Sequence, residues 1–422
     1  MQISKLTLTE ILNLPGVDVG RGRLRRSLIQ WIAGCSGAMI LNNILGCGDS
    51  QGVKTLKTQE TTWLMPDESE PHDRTWMAFG ASRAIWGKKL LPEVQNNLAT
   101  IAKTIAQYEP VSMLVRQEDY GIAAQKCGSS VNLIVSPLDD LWIRDTSPVF
   151  VKDSRGNLGG IDFNFNGWGQ KQDHEQDAKI AAFVIQKSSA QAINTELVLE
   201  GGGIEVDGKG TAILTESCVI NDNRNPGRTK TECEALLKTL LGLRKIIWLP
   251  GIRGQDITDG HTDFYARFVR PGTVVAGYDP DPASFDHAVT QKHLEILGSE
   301  TDADGQKLEV VVIESPRNIR PRFQSDDFAA GYINFYVVNG AVIAPEFGDL
   351  MADNKAKSTL QDLFPGRDIV QLNIDAIAAG GGGIHCTTQQ QPRAKMLLPS
   401  RRKITKINSL DCWVATGDSP YG

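Results

Sequence analysis

Across residues 55–398 the sequence keeps exchanging two periodicities: short β-rich runs that alternate in twos, and apolar stripes that return every three to four residues. A chain that does this without a Pro-, Ser- or charge-rich linker builds sheets flanked by helices, and here it reads as one α/β domain. A length of 422 residues would allow two or three domains, but no shift in composition marks a boundary. Val94, Leu98, Ile101 and Ile105 share one helical face, which predicts a helix over 92–109. Strands are expected at 131–135 and 147–151, either side of an acidic segment that ends in Asp145. Further on, 211–221 reads as a strand pair, 232–241 as a helix closed by Gly242, and 245–249 as a strand. The alternation continues with a strand at 273–277, a helix at 284–297 and a strand at 308–313. A hairpin over 333–344 turns at Asn339-Gly340, a helix covers 355–364, and a strand at 370–374 leads into four consecutive glycines.

That glycine run, 380–383, delivers Cys386 with no side chains between the backbone and whatever lies against it, as a presented nucleophile needs. The competing account is a buried, inert thiol. Three further stretches favour the nucleophile. In Asp259-Gly260-His261-Thr262-Asp263, an extended backbone would point His261 and Asp263 into the same space, an imidazole and a carboxylate equipped to move protons at neutral pH. Glu200 stands before three glycines that leave its carboxylate reachable. Asp145 lies beside Trp142, whose indole suits a planar cation while acids take its N–H groups. A thiol, an imidazole and several carboxylates together suit one substrate group, a guanidinium. The bound cation and a protonated His261 would lower the Cys386 pKa; His261 would protonate departing ammonia and then deprotonate the water that cleaves the amidino-thioether.

The seven cysteines (35, 47, 127, 218, 233, 386 and 412) show no paired spacing and the six histidines no metalloprotease motif, so neither a disulfide framework nor a metal centre is expected, and no cofactor is called for. With 22% charged residues and a net charge of −6, the chain lacks an electrostatic footprint for nucleic acid and mildly favours a small cationic ligand.

Residues 1–50 carry Arg21, Arg23, Arg25 and Arg26 ahead of an apolar run from Trp31 to Leu41, and resemble a twin-arginine export signal. The run closes at Ile44-Leu45-Gly46-Cys47, which looks like a lipoprotein processing site, so a membrane tether through a lipid on Cys47 is a further expectation. The expected location is outside the cytoplasm. Residues 399–422 form a basic, then mixed, tail without evident chemistry.

Eight blocks, in order from about residue 60 to 395, resemble the agmatine deiminase family. They are Met65-Pro66-x-Glu68-x-Glu70-Pro71-His72, Asp140-x-Trp142-x-Arg144-Asp145, Phe163-x-Phe165-Asn166-x-Trp168-Gly169, Glu200-Gly201-Gly202, Asn223-Arg224-Asn225-Pro226, Thr258-Asp259-Gly260-His261-x-Asp263, Pro345-x-Phe347-Gly348-Asp349, and Gly381-Gly382-Gly383-Ile384-His385-Cys386 with Gln389-Gln390-Gln391-Pro392. The resemblance implies a five-bladed β/α propeller of the pentein type, although no fivefold repeat is visible in the sequence. It implies Cys386 as nucleophile, His261 as acid/base, Glu200 as the acid that orients the histidine, and Asp145 and Asp263 as the carboxylates that grip the guanidinium; Trp142 falls within a matched block. It implies deimination of agmatine. The export signal departs from the family pattern and opens a rival, deimination of peptidyl or free arginine, for which Arg224, Arg228, Arg253 and Arg322 could receive a carboxylate. A non-catalytic binding propeller is the rival of another class.

Overall fold

The computed structural model describes residues 62–323 and 327–394; the expected export segment, Cys47 and the tail lie outside them. The chain opens with strands β1 (Trp63–Leu64) and β2 (His72–Phe79), helix α1 (Arg83–Ile105), β3 (Val111–Val115), helix α2 (Tyr120–Cys127) and β4 (Val131–Val135), with β2, β3 and β4 parallel. Next come β5 (Val149–Asp153) and β6 (Leu158–Asp162), which pair antiparallel, then helix α3 (Ile180–Ser188) and β7 (Gln191–Asn194), which returns parallel to β6; β1 lies antiparallel along β5. The same plan follows in β8 (Glu205–Val206), β9 (Thr211–Thr215), helix α4 (Lys230–Leu241) and β10 (Lys245–Leu249). It recurs in β11 (Ala266–Arg270), β12 (Thr273–Tyr278), helix α5 (His287–Ser299) and β13 (Glu309–Glu314). A last copy comprises β14 (Tyr336–Val338), β15 (Ala341–Glu346), helix α6 (Leu350–Leu363) and β16 (Asp368–Asn373). Finally β17 (Gln389–Pro392) pairs antiparallel with β2, so the first unit receives its antiparallel partner from the far end of the chain.

The result is five separate sheets with one shared plan: an antiparallel pair, a helix, and a parallel return. Local chemistry sets the elements. Helix α4 starts on a capping box between Thr229 and Glu232 and stops at Gly242, whose φ of 70° is left-handed. Helix α6 starts where the Asp349 carboxylate accepts from the Ala352 N–H. The hairpin turns at Asn339-Gly340 as expected, with Gly340 at φ 88°.

The predicted face of α1 is entirely inside, with Val94, Leu98, Ile101 and Ile105 all fully buried, each such burial contributing about 1.5–3 kcal/mol. The helix begins nine residues earlier than expected, capped by Ser82, because a break at Gly87 (φ 65°) lets Pro92 fall near the start of its second segment. Residues 211–221 are not a strand pair; the strand β9 ends at Thr215 and a short helix, Glu216–Val219, follows it.

Candidate active site

Each of the five connections between units supplies a chemically capable side chain. Asp145 lies between β4 and β5, Glu200 between β7 and β8, His261 and Asp263 between β10 and β11, Asn334 between β13 and β14, and Cys386 between β16 and β17. All are buried, the least of them by 93%.

Cys386 sits in a single helical turn, His385–Thr387. The glycines ahead of it are needed for close approach: a Cβ on Gly382 would stand 2.2 Å from the Trp142 ring, and one on Gly383 would stand 2.3 Å from Asn334 Oδ1. Asn334 holds the turn, its Oδ1 accepting from the His385 N–H at 2.9 Å and its Nδ2 donating to Cys386 Sγ at 3.3 Å. The thiol itself faces Asp263 Oδ2 at 3.8 Å. Burial, reinforced by the charges of Asp263 and Asp145, pushes its pKa well above the usual thiol range. The Gly383 N–H and Asn334 do not outweigh burial and two carboxylates, so the expected lowering of this pKa falls to the bound cation.

His261 and Asp263 do not lie on an extended strand. His261 caps a short turn, Thr262–Phe264, that also carries Asp263. The turn is reached through Asp259, a non-glycine residue at φ 62°, and Thr215 and Ser217 fix its approach by donating to the carbonyls of Gly260 and Asp259, each at 2.6 Å. The two residues therefore take separate partners. His261 Nε2 meets Glu200 Oε2 at 3.3 Å and its Nδ1 faces Asp145 Oδ1 at 3.8 Å, whereas Asp263 Oδ2 meets His385 Nδ1 at 2.7 Å. Burial works against a charged imidazole, but Asp145, Cys218 and Glu200 together hold His261 protonated well above its ordinary range. Glu200 is kept ionised against its own burial by Arg224, whose Nε lies 2.9 Å from both carboxylate oxygens, and by His261.

Asp145, Asp263 and His261 converge on Gly202. A Cβ there would stand 2.6 Å from His261 Nδ1, 3.0 Å from Asp145 Oδ1 and 3.1 Å from Asp263 Oδ2. Asp145 accepts from the Gly202 N–H at 3.0 Å and from Trp168 Nε1 at 2.9 Å; burial and the neighbouring charges raise its pKa to about 6. Asp263 Oδ1 is buried without any hydrogen-bond partner among the described residues, an acceptor left open. Trp142 packs on Trp86 at 5.8 Å between ring centroids and lines the same cavity as Asp145, His261 and Cys386.

That cavity has a volume of about 1120 Å³. Its described lining carries seven aspartates, Asp140, Asp145, Asp256, Asp279, Asp281, Asp286 and Asp327, against one arginine, Arg317. The arginines considered for a substrate carboxylate are elsewhere: Arg224 is buried against Glu200 and Asp259, Arg228 pairs with Glu196, Arg253 donates to the Ile220 carbonyl and Arg322 pairs with Glu93. Glu200, Cys218 and His261 bring donor atoms within 4.8 Å of one another, a set zinc could use. Arg224 already occupies both oxygens of that glutamate, so a metal would have to displace a buried ion pair.

Sequence reasoning quoted Glu68, Arg144, Trp168 and His385 within matched blocks but assigned them no part, and it passed over Asn334 and Arg267. Their partners lie far away in sequence, from 23 residues for Trp168 and Asp145 to 317 for Glu68 and His385, so no local spacing could have joined them.

A family model for Porphyromonas-type peptidyl-arginine deiminase matches residues 64–392. An agmatine deiminase of Stutzerimonas stutzeri is 37% identical over 362 residues, covering 80% of this chain and 98% of its own. An agmatine deiminase of Pseudomonas aeruginosa is 36% identical over 351 residues, covering 78% and 95%. A solved agmatine deiminase of Enterococcus faecalis superposes with a TM-score of 0.74 at 31% identity, over 79% of this chain and 96% of that one. With the family model and curated relatives in agreement over the stretch that holds every residue of the site, the chain belongs to the agmatine deiminase family, among the Porphyromonas-type peptidyl-arginine deiminases.

Proposed function

We propose that this chain hydrolyses agmatine to N-carbamoylputrescine and ammonia. One observation carries the reading: Asp145 and Asp263 converge with His261 on Gly202 while Cys386 Sγ stands 3.8 Å from Asp263, so two carboxylates flank the place where a thiol could meet a planar cation. Asp145 and Asp263 accept the guanidinium N–H groups. The arriving cation offsets the two charges that keep Cys386 protonated, so the thiol releases its proton to solvent water as the complex forms. Sulfur then attacks the guanidinium carbon and a C–S bond forms. The C–N bond breaks as His261, held by Glu200, gives its proton to the leaving ammonia. Water replaces the ammonia, loses a proton to His261 and attacks the amidino carbon; the C–S bond breaks, the departing thiolate takes the remaining hydroxyl proton, and the neutral urea product leaves with Cys386 and His261 restored. Trp142 packs beside this path as a wall for the cation.

The surplus of aspartates along the cavity favours a substrate with a second positive charge over one with a carboxylate, and so agmatine over free arginine. An ammonia-release screen over agmatine, arginine and an arginine-ended peptide tests this. Agmatine alone should turn over well; turnover of the peptide without agmatine would remove the proposal.

Five units with one plan, closed by pairing of β17 with β2 and each donating to one site through its connection, support a five-bladed propeller around that site. Export by a twin-arginine signal and lipid attachment at Cys47 remain proposals on the residues alone, which mass spectrometry of the mature N-terminus decides: an unprocessed Met1 terminus in the exporting host would reject both.

A further inference from the structure

The opening segment, Met65 to His72, carries Glu68. Glu68 reaches inward with its side chain 8% exposed and meets partners from four other parts of the chain: Arg267 Nη2 at 2.8 Å, Arg144 Nη2 at 3.1 Å, the Val337 N–H at 2.8 Å and His385 Nε2 at 2.8 Å. The other nitrogen of His385 is the one on Asp263, at 2.7 Å. A single buried imidazole thus bridges two carboxylates, Glu68 and Asp263.

That geometry fixes the protons. Each gap joins a ring nitrogen to a carboxylate oxygen, and an acceptor facing an acceptor at such distances would be repulsive, so a proton occupies each gap. Burial, with Arg144 and Arg267, holds the His385 pKa below its ordinary value against the opposite pull of Glu68 and Asp263. Glu68 is held ionised, against its burial, by Arg267, His385 and Arg144. The consequence for Asp263 is directional. Its Oδ2 is committed to His385, and its Oδ1 is the buried acceptor without a partner.

We propose that His385, anchored by Glu68, is a positioning residue for Asp263: the bridge ties down one carboxylate oxygen and leaves the other free and ionised for a substrate guanidinium. The inference rests on the deiminase reading above and goes beyond it, since neither Glu68 nor His385 lies in the described lining of the cavity. It also gives the N-terminal segment a part in substrate binding.

The test compares parent, His385→Gln and Glu68→Gln in steady-state ammonia release from agmatine, with thermal melting to establish that each variant is folded. Glutamine at 385 can donate to one carboxylate but cannot bridge two. The expected result is a KM raised about tenfold or more with kcat within about threefold, the signature of lost binding without loss of the reacting groups. A second readout separates positioning from mere support. Asp263 faces His385, His261 and Arg267, which favour its charge, and Asp145 and the Cys386 thiol, which do not; losing His385 raises its pKa towards that of Asp145, so the acid limb of kcat/KM, set by Asp145 in the parent, steepens and moves to higher pH. Glu68→Gln withdraws the far anchor and is expected to act in the same direction, which keeps the inference testable should His385→Gln not fold. Folded variants with parental KM and an unmoved acid limb would overturn it. A parent that leaves agmatine untouched would fail the deiminase reading instead, and the two failures are told apart in the same assay.

Discussion

Cys386 in the free protein is a thiol held neutral by its surroundings, and this decides how the residue should behave. Asp263 and Asp145 oppose its ionisation, and burial does so more strongly. Alkylation of Cys386 by iodoacetamide should therefore keep accelerating as pH rises through 9 in the unliganded protein, whereas a plateau below about pH 8 would mean a thiolate already present. Asp145 gives the complementary expectation. Its pKa of about 6 means that one anion of the clamp is lost as pH falls through that value, so kcat/KM for agmatine should decline below about pH 6. His261 behaves oppositely. Its pKa is raised, so its proton is present below the ordinary histidine range and is lost only on the alkaline side, and a kcat/KM that had already fallen by pH 7 would contradict that ordering. At this scale the sequence was informative where a residue type carries its chemistry alone, as at Cys386 and His261. It was silent where a neighbour sets the chemistry: the sign of the Cys386 shift depends on Asp263, 123 residues away.

The elements matter here mainly through what their ends allow. The Gly380–Gly383 run is legible in sequence as a close approach, but not what approaches; the structure supplies the indole of Trp142 at Gly382. Gly382→Ala must move either that ring or the turn bearing Cys386. Overpacking of this kind costs about 1–3 kcal/mol, so a lowered melting temperature is expected with at least a tenfold loss of kcat/KM. An alanine variant with parental stability and rate would show that the turn is looser than the contact implies. Strong periodicity makes α1 and its buried face readable, while Thr211–Thr215 and the short helix after it are each too short for the period to separate them. The turn carrying His261 and Asp263 was misjudged for a related reason: two residues apart means one face only on a strand, and Gly260 with a left-handed Asp259 makes this segment a turn.

The described residues repeat one unit plan five times without repeating its sequence, because the plan needs only apolar strands and an amphipathic helix per unit, which many sequences satisfy. Strand–helix alternation was therefore visible and the fivefold recurrence was not. Neither was the pairing of β17 with β2, which joins Gln389 to Trp76 across nearly the full described chain. The shared plan brings the connections to one site, and the chemistry proposed there depends on a covalent bond between Cys386 and the guanidinium carbon. Acid-quenching the enzyme during agmatine turnover and weighing the peptide that contains Cys386 tests that bond most directly. An adduct with the mass of agmatine less ammonia is expected, absent when Cys386 is replaced by alanine; steady ammonia release with an unmodified Cys386 at every quench time, and undiminished in Cys386→Ala, would rule out the covalent bond.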